Sequence, residues 1–306
     1  MKKFLIKSSD FKDIRLDKWL KINFSLISQS FIEKNIRKGN IKVNRKKIFS
    51  KYKLNIEDEV VIFNYSIDTY TNRPKDFLKK DIPTKYIKLF NSHILYENEF
   101  FIILDKWTGI ATQGGSKINI SIDHIIKDIS EKYNLVHRLD RETSGLLIVA
   151  KDIQTTRFFG KLFKDHLIKK IYIATCQGRP KHLQSEINLP IIDKKDPSKK
   201  SNSITKYKAY ETNNNLTNII FSPKTGKTHQ IRIVAKHLGC PIVGDTKYNT
   251  QSKYNFEKLK LNAHFLQFTF KDKDYEFLSS LPIHFLNFFK KNNLKKIIKT
   301  NVIELL

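Results

Sequence analysis

Between residues 93 and 281 the sequence returns repeatedly to short strand-like runs, at Phe101 to Leu104, Leu146 to Ala150, Ile171 to Ala174, Ile219 to Phe221 and Leu266 to Phe270, with helical spacing between them. Runs this short are strands rather than helices, and strands interleaved with helices around one core imply an α+β domain. A chain of 306 residues has room for that domain and a smaller module without covalent staples. Its two cysteines, Cys176 and Cys240, fall in no CxxC or Cys/His spacing, so neither a disulfide framework nor a zinc site is expected, and a reducing cytoplasm fits. Phe4-Leu5-Ile6 is too short for a signal segment, and no stretch approaches the ~18 apolar residues of a membrane span. A soluble, internal protein without membrane contact is expected.

Residues 12–64 form the smaller module. Leu16, Trp19 and Leu20 have helical spacing, Ser28 or Ser30 can cap a second helix carrying Phe31, Ile32 and Ile36, and Gly39 is placed to stop it. Ile41-Lys42-Val43-Asn44 alternates as a half-buried strand does, and Val60 to Phe63 reads as another. Residues 65–92 turn polar, with breakers at Asn72-Arg73-Pro74 and Ile82-Pro83-Thr84, and are expected to be a linker before a domain over 93–306. In the tail after Pro282, Ile283, Leu286 and Phe289 have helical spacing and are expected to pack back on that domain.

The chain carries 57 Lys plus Arg against 30 Asp plus Glu, a net charge of +27 that points to a polyanionic partner. Only nine of those cations are Arg, and Lys, Asn and Ile are abundant throughout, as in a strongly AT-biased coding sequence. The arginines are therefore informative: a point charge could be supplied by Lys, whereas a planar fork for phosphate or carboxylate requires Arg. Arg15, Arg37, Arg138, Arg141 and Arg232 fall inside the motifs below. Lys34, Arg37, Lys38, Lys42, Arg45, Lys46 and Lys47 crowd one helix end and strand start, which suits a phosphate-binding face as well as a solvated surface.

The segment His137-Arg138-Leu139-Asp140-Arg141-Glu142-Thr143-Ser144 gathers polar and ionisable groups at the mouth of an apolar run, where catalytic loops sit. Alone, Asp140 reads either as a turn cap closed by Thr143 and Ser144 or as a catalytic carboxylate. A lone His such as His137 is more often a hydrogen-bonded structural residue than an acid. Thr225-Gly226-Lys227-Thr228 looks like the end of a P-loop, but Phe221 stands where the first glycine belongs, so nucleotide binding is not expected. Gly114-Gly115-Ser116 reads as a turn.

His137-Arg138-Leu139-Asp140-x-x-Thr143-Ser144-Gly145 resembles the signature of the RluA family of pseudouridine synthases without a departure. The resemblance extends from about residue 94 to 270: Leu104-Asp105-Lys106-Trp107-Thr108-Gly109 is similar to the first family motif with Trp107 where proline is usual, and Lys170-Ile171-Tyr172-Ile173-Ala174 to a second. Thr225 to Ile233, followed by His237-Leu238-Gly239-x-Pro241-Ile242-x-Gly244-Asp245-x-x-Tyr248, is similar to a third, with Lys227 and Val234 replacing a common arginine and histidine. Gly114-Gly115-Ser116 is most like the ribosomal large subunit pseudouridine synthase C group. Arg15-Leu16-Asp17-x-x-Leu20 through Ile36-Arg37-Lys38-Gly39-x-Ile41-x-Val43-Asn44 resembles an S4 RNA-binding domain.

These resemblances imply an S4-like module followed by a synthase domain with a central mixed, mainly antiparallel sheet flanked by helices. They imply isomerisation of uridine in structured RNA, with 23S ribosomal RNA or a large-subunit precursor as partner. Asp140 would be nucleophile or base, Arg232 the cation keeping it ionised, and Tyr172 the aromatic face against the flipped uracil. Arg138 would assist flipping or hold a phosphate, while Arg15, Arg37, Lys38, Lys42 and Arg45 would meet RNA backbone. The reaction changes neither redox state nor atom count, so no metal or nucleotide cofactor is expected, and the protein should be a monomer. A transfer-RNA-directed synthase and a non-catalytic ribosome-assembly protein are the alternatives.

Overall fold

The computed structural model describes residues 1–8, 11–24, 27–70, 82–115, 118–193, 196–210 and 214–295. The chain divides into two units, Met1–Asp81 and Ile82–Leu306. In the first, strand β1 (Lys2–Leu5) precedes helices α1 (Leu16–Asn23) and α2 (Gln29–Lys38), strands β2 (Ile41–Val43) and β3 (Glu59–Ile62), and a short helix α3 (Ile67–Tyr70). The apolar spacing foretold the buried faces: Leu16, Trp19 and Leu20 of α1 and Ile32 and Ile36 of α2 share one core with Val43, Val60 and Tyr70. The Ser28 hydroxyl caps α2 by accepting from Phe31 N–H at 3.1 Å, satisfying a donor that would otherwise be orphaned. Gly39 ends the helix in the left-handed region at φ 78°. The three strands run antiparallel in the order β1-β3-β2.

The second unit opens with helix α4 (Thr84–Ser92), inside the stretch expected to be a linker. Pro83 stands at its N-cap, where a proline begins a helix rather than breaks one, and Phe90 is buried beneath it. The breakers at Asn72-Arg73-Pro74 lie outside the described residues. Next come β4 (Ile94–Glu97), β5 (Phe101–Lys106), α5 (Ile122–Ile129), β6 (Asn134–Leu135), β7 (Ser144–Ala150), α6 (Ile153–Lys164) and β8 (Lys169–Gln177). The chain continues through β9 (Gln184–Asp193), β10 (Asp196–Tyr210), β11 (Leu216–Pro223), α7 (Gln230–His237), β12 (Leu261–Phe270), β13 (Lys273–Leu278) and α8 (Ile283–Lys291).

One ten-stranded sheet runs β4-β5-β7-β12-β8-β11-β10-β9, with β13 added to β12 and β6 to β7. Its ladders are antiparallel except β7 against β12, so it is mixed and mostly antiparallel. The sheet is covered on both faces at β5 and β7. Ile102, Leu104, Leu147 and Val149 point into one core with Ile122 and Ile126 of α5. Phe101, Ile103, Leu146 and Ile148 point into another with Phe159 of α6 and Phe268. That two-sided burial makes Phe101 to Leu104 and Leu146 to Ala150 continuous apolar runs. Helix α8 forms where the tail was expected to be helical, but its buried face is Phe285, Phe288 and Phe289, and Ile283 is exposed. Three aromatic rings packed with Leu216 and Val243 remove more apolar surface from water than Ile283 and Leu286 could.

The parallel pairing of β7 with β12 dictates a glycine. Gly145 lies opposite Ala263 at φ +106°, and a Cβ there would come within 2.3 Å of the Ala263 carbonyl oxygen. The residue immediately before β7 is Thr143, so this close approach fixes the start of β7 just after the Asp140 loop.

Candidate active site

Asp140 sits in a loop held by its neighbours on both sides. Thr112 Oγ1 donates to Leu139 O at 2.7 Å and accepts from Leu139 N at 3.1 Å. Gly109 N donates to Arg141 O at 3.0 Å, and Arg141 Nε returns a bond to Gly109 O at 3.0 Å. Under this zipper lies Lys106, fully buried, whose Nζ donates to the carbonyls of Trp107, Ile110 and Arg141 at 3.1, 3.1 and 3.3 Å. Burial pushes the Lys106 pKa down to about 7, opposed in part by Glu142 and Asp140. The first motif is thus a clamp on the loop that carries Asp140. Trp107, in the usual proline position, packs its ring against His93 at 5.0 Å.

The backbone carbonyl of Asp140 closes the turn by accepting from Thr143 N at 3.1 Å, which leaves its carboxylate out of the cap. That carboxylate lies 3.3 Å from Arg232 Nη1 through Oδ2 and 3.8 Å from His229 Nε2 through Oδ1. Arg232 rises from α7, and its two-pronged face belongs to another acid: Nε and Nη2 donate to Asp245 at 2.8 and 2.7 Å. The Asp245 side chain is completely buried and also accepts from the Lys247 and Tyr248 N–H groups at 3.0 Å. Burial alone would raise the Asp245 pKa, but the Arg232 fork and those two N–H groups hold it below the ordinary carboxylate value. Arg232 also lies 5.2 Å from the Tyr248 ring centroid, and the Tyr248 hydroxyl is 3.1 Å from His229 Nδ1. His229 holds φ 57° at the N-cap of α7, an unusual conformation for a residue with a side chain.

Asp140 and Arg232 line a cavity of about 110 Å³ with Tyr172, Arg138 and Thr143. Tyr172 is half-buried on β8, and burial followed by the Asp140 charge pushes its pKa up, so its ring remains a neutral phenol. Arg138 is exposed at the rim, donating from Nη2 to Thr228 Oγ1 at 2.9 Å. The loop opposite, 224–229, is fixed by buried Gln230, which accepts from Thr225 Oγ1 at 2.8 Å and Lys227 N at 2.9 Å and donates to Ile204 O at 3.1 Å. His137 is a structural acceptor: Ile148 N donates to its Nε2 at 2.9 Å, and burial drops its pKa to about 3.

A family model for RNA pseudouridylate synthase matches residues 100–237. The ribosomal large subunit pseudouridine synthase C of Rickettsia felis is 36% identical over 294 residues, covering 90% of this chain and 95% of that protein. The chain belongs to the RNA pseudouridylate synthase family. The synthase is also 32% identical to the ribosomal large subunit pseudouridine synthase C of Buchnera aphidicola subsp. Baizongia pistaciae over 303 residues, covering 92% of this chain and 94% of that one. In fold it resembles human RNA pseudouridylate synthase domain-containing protein 4, with a TM-score of 0.62 at 20% identity over 70% of this chain and 98% of that one.

The basic residues singled out in the first unit of the synthase have different surroundings. Arg15 is tied to Asp17 through Nε at 3.0 Å and through Nη2, so its fork serves the base of α1. Lys42 Nζ lies 5.0 Å from the Phe63 ring centroid. Arg37, Lys38 and Arg45 are exposed. Asp245, Lys106, Gln230 and His229 were not singled out by sequence, although each stands inside a quoted motif. No group of three His, Cys, Asp or Glu among the described residues is arranged to hold a metal, and no helix there is long and apolar enough to cross a membrane.

Proposed function

We propose that the synthase converts uridine to pseudouridine in large-subunit ribosomal RNA, with Asp140 as the reacting carboxylate. The observation that carries this reading is the direction of that carboxylate. It is turned away from its own turn and into a cavity shared with Arg232 and Tyr172. The rearrangement breaks the N1–C1′ bond, rotates the uracil and forms a C5–C1′ bond, with the C5 proton leaving and N1 gaining one. An ionised carboxylate serves either by attack at C1′ or by removing the C2′ proton. Arg232 places a cation 3.3 Å from that carboxylate, and the Tyr172 ring gives the flipped base a stacking face worth roughly 1–3 kcal/mol.

The first unit fits an S4-like docking module: two helices against a small sheet, with Arg37, Lys38 and Arg45 on exposed surface where phosphates can be met by shape rather than sequence. The ribosomal substrate is inferred from the names of the relatives, and a cytoplasmic monomer accompanies it. Asp140→Asn tests the catalytic assignment. Single-turnover conversion of a large-subunit ribosomal RNA transcript should fall by at least three orders of magnitude, whereas conversion at the wild-type rate removes Asp140 from the chemistry. Mapping pseudouridine in ribosomal and transfer RNA of cells with and without the protein decides the substrate.

A further inference from the structure

A second cavity, of about 400 Å³, lies on the far side of one wall of the catalytic pocket, sharing Pro223 and Thr225 with it. Its size is that of a ligand site. Its floor is apolar, from Ile168, Ile204 and Pro223, and its rim is cationic, with Lys169 and Lys170 at the start of β8, Lys206 on β10 and Lys224 beyond β11. Lys224 is paired with Glu186 at 2.9 Å, and Lys170 Nζ lies 5.8 Å from the Phe163 ring centroid. Among the described residues no carboxylate pairs with Lys169 or Lys206, both exposed. Two hydrogen bonds tie the wall between the cavities to β10: Lys224 N donates to Ile204 O at 3.0 Å, and Ile204 N donates to Thr225 Oγ1 at 3.1 Å.

We propose that this groove holds the sugar-phosphate backbone of the nucleotides adjoining the target uridine, as the strand leaves the catalytic pocket over the Pro223–Thr225 ridge. The inference rests on the RNA reading above and adds a path to it. A row of ammonium groups along a groove tracks a single-stranded backbone electrostatically, with phosphates at the rim and ribose against the apolar floor. Continuity with the catalytic pocket favours RNA over an acidic peptide, because a flipped uridine seated beside Asp140 must send its chain out past one of the pocket walls. Lysine suits this role, since backbone contact needs charge without a planar fork.

The test is binding of a fluorescein-labelled single-stranded uridine-containing RNA to the full-length protein, followed by anisotropy across a salt titration. Lys169→Ala combined with Lys206→Ala should weaken binding roughly tenfold at low salt and make the slope of log K against log salt shallower by about 1.4, the value for two lost phosphate contacts on single-stranded RNA. Lys88→Ala combined with Lys273→Ala removes the same charge from exposed positions on α4 and β13 and should leave the slope as in wild type. A wild-type slope in the groove variant, or an equal change in the control variant, overturns the groove. Uridine conversion by the wild-type protein is scored separately: its absence beside an altered groove slope removes the catalytic reading and keeps the groove, and its presence beside an unaltered slope does the reverse.

Discussion

Arg232 commits its two-pronged face to Asp245, at 2.8 and 2.7 Å, and reaches Asp140 only with the remaining Nη1 at 3.3 Å. Arg232, expected from the sequence as the cation beside Asp140, thus gives its fork to a different acid. The fork fixes the arginine, and the arginine offers a single donor to Asp140. A bidentate pair gives orientation as well as charge, which leaves the Asp140 carboxylate counterbalanced without being fully engaged.

Arg232→Lys should separate chemistry from binding. An ammonium can answer one of the two carboxylates but cannot bridge both in fixed geometry. Single-turnover rates should fall at least a hundredfold, about 3 kcal/mol in the barrier, while the RNA dissociation constant changes less than threefold. Equal losses in both measurements would show that Arg232 contacts RNA instead.

Asp245→Asn removes the anchor. Breaking a buried ion pair costs about 3–5 kcal/mol, because the partner is left uncompensated. The folded-state pKa of Asp245 lies below its unfolded value, so the stability it contributes is present above about pH 4 and is lost as pH falls through the folded value. In urea melts the stability gap between wild type and variant should be widest near pH 6 and should narrow below pH 4. A gap independent of pH would mean that the charge of Asp245 is not what stabilises the arrangement.

The reasons some of this was legible in the sequence, and some not, are physical. Strands β5 and β7 are buried on both faces, so Phe101 to Leu104 and Leu146 to Ala150 are apolar without interruption and read as strands from the sequence. Strands β9 and β10 carry no comparable run, because lysine, serine and asparagine dilute the alternation of Ile187, Leu189 and Ile191. Asp140 stood out through its motif. Asp245 stood in a motif too, but its meaning depends on a helix that turns Arg232 back onto it, and no spacing of residue types announces that. Lys106 was hidden by composition: in a chain this rich in lysine, one that is entirely buried carries no distinguishing mark until its three carbonyl partners are seen.

That buried lysine should leave a signature in the pH dependence of stability. Its folded-state pKa of about 7 lies below the ordinary 10.5, so between those values the unfolded chain binds a proton that the native state has released. Stability contributed through this group must therefore rise with pH across that window, by at most roughly 4–5 kcal/mol. Urea denaturation of wild type and Lys106→Met at pH 7 and pH 10 checks it. The unfolding free energy of wild type should gain on that of the variant as pH rises, and parallel curves would place the Lys106 proton equilibrium elsewhere.

Whether the charge of the first unit is used or is compositional drift can be decided without dismantling its core. Arg37, Lys38 and Arg45 are exposed, and none contributes to the buried cluster around Leu16, Ile32 and Val60, so replacing all three with alanine should leave the melting temperature within about 2 °C. If they meet RNA phosphates, affinity for folded ribosomal RNA should fall and the salt slope should become shallower by about 2–3, close to one unit per contact. Turnover at saturating RNA should remain near wild type, since the carboxylate proposed to react, Asp140, belongs to the other unit. A slope equal to that of wild type would instead show these three cations to be solvated surface, the outcome expected of composition alone.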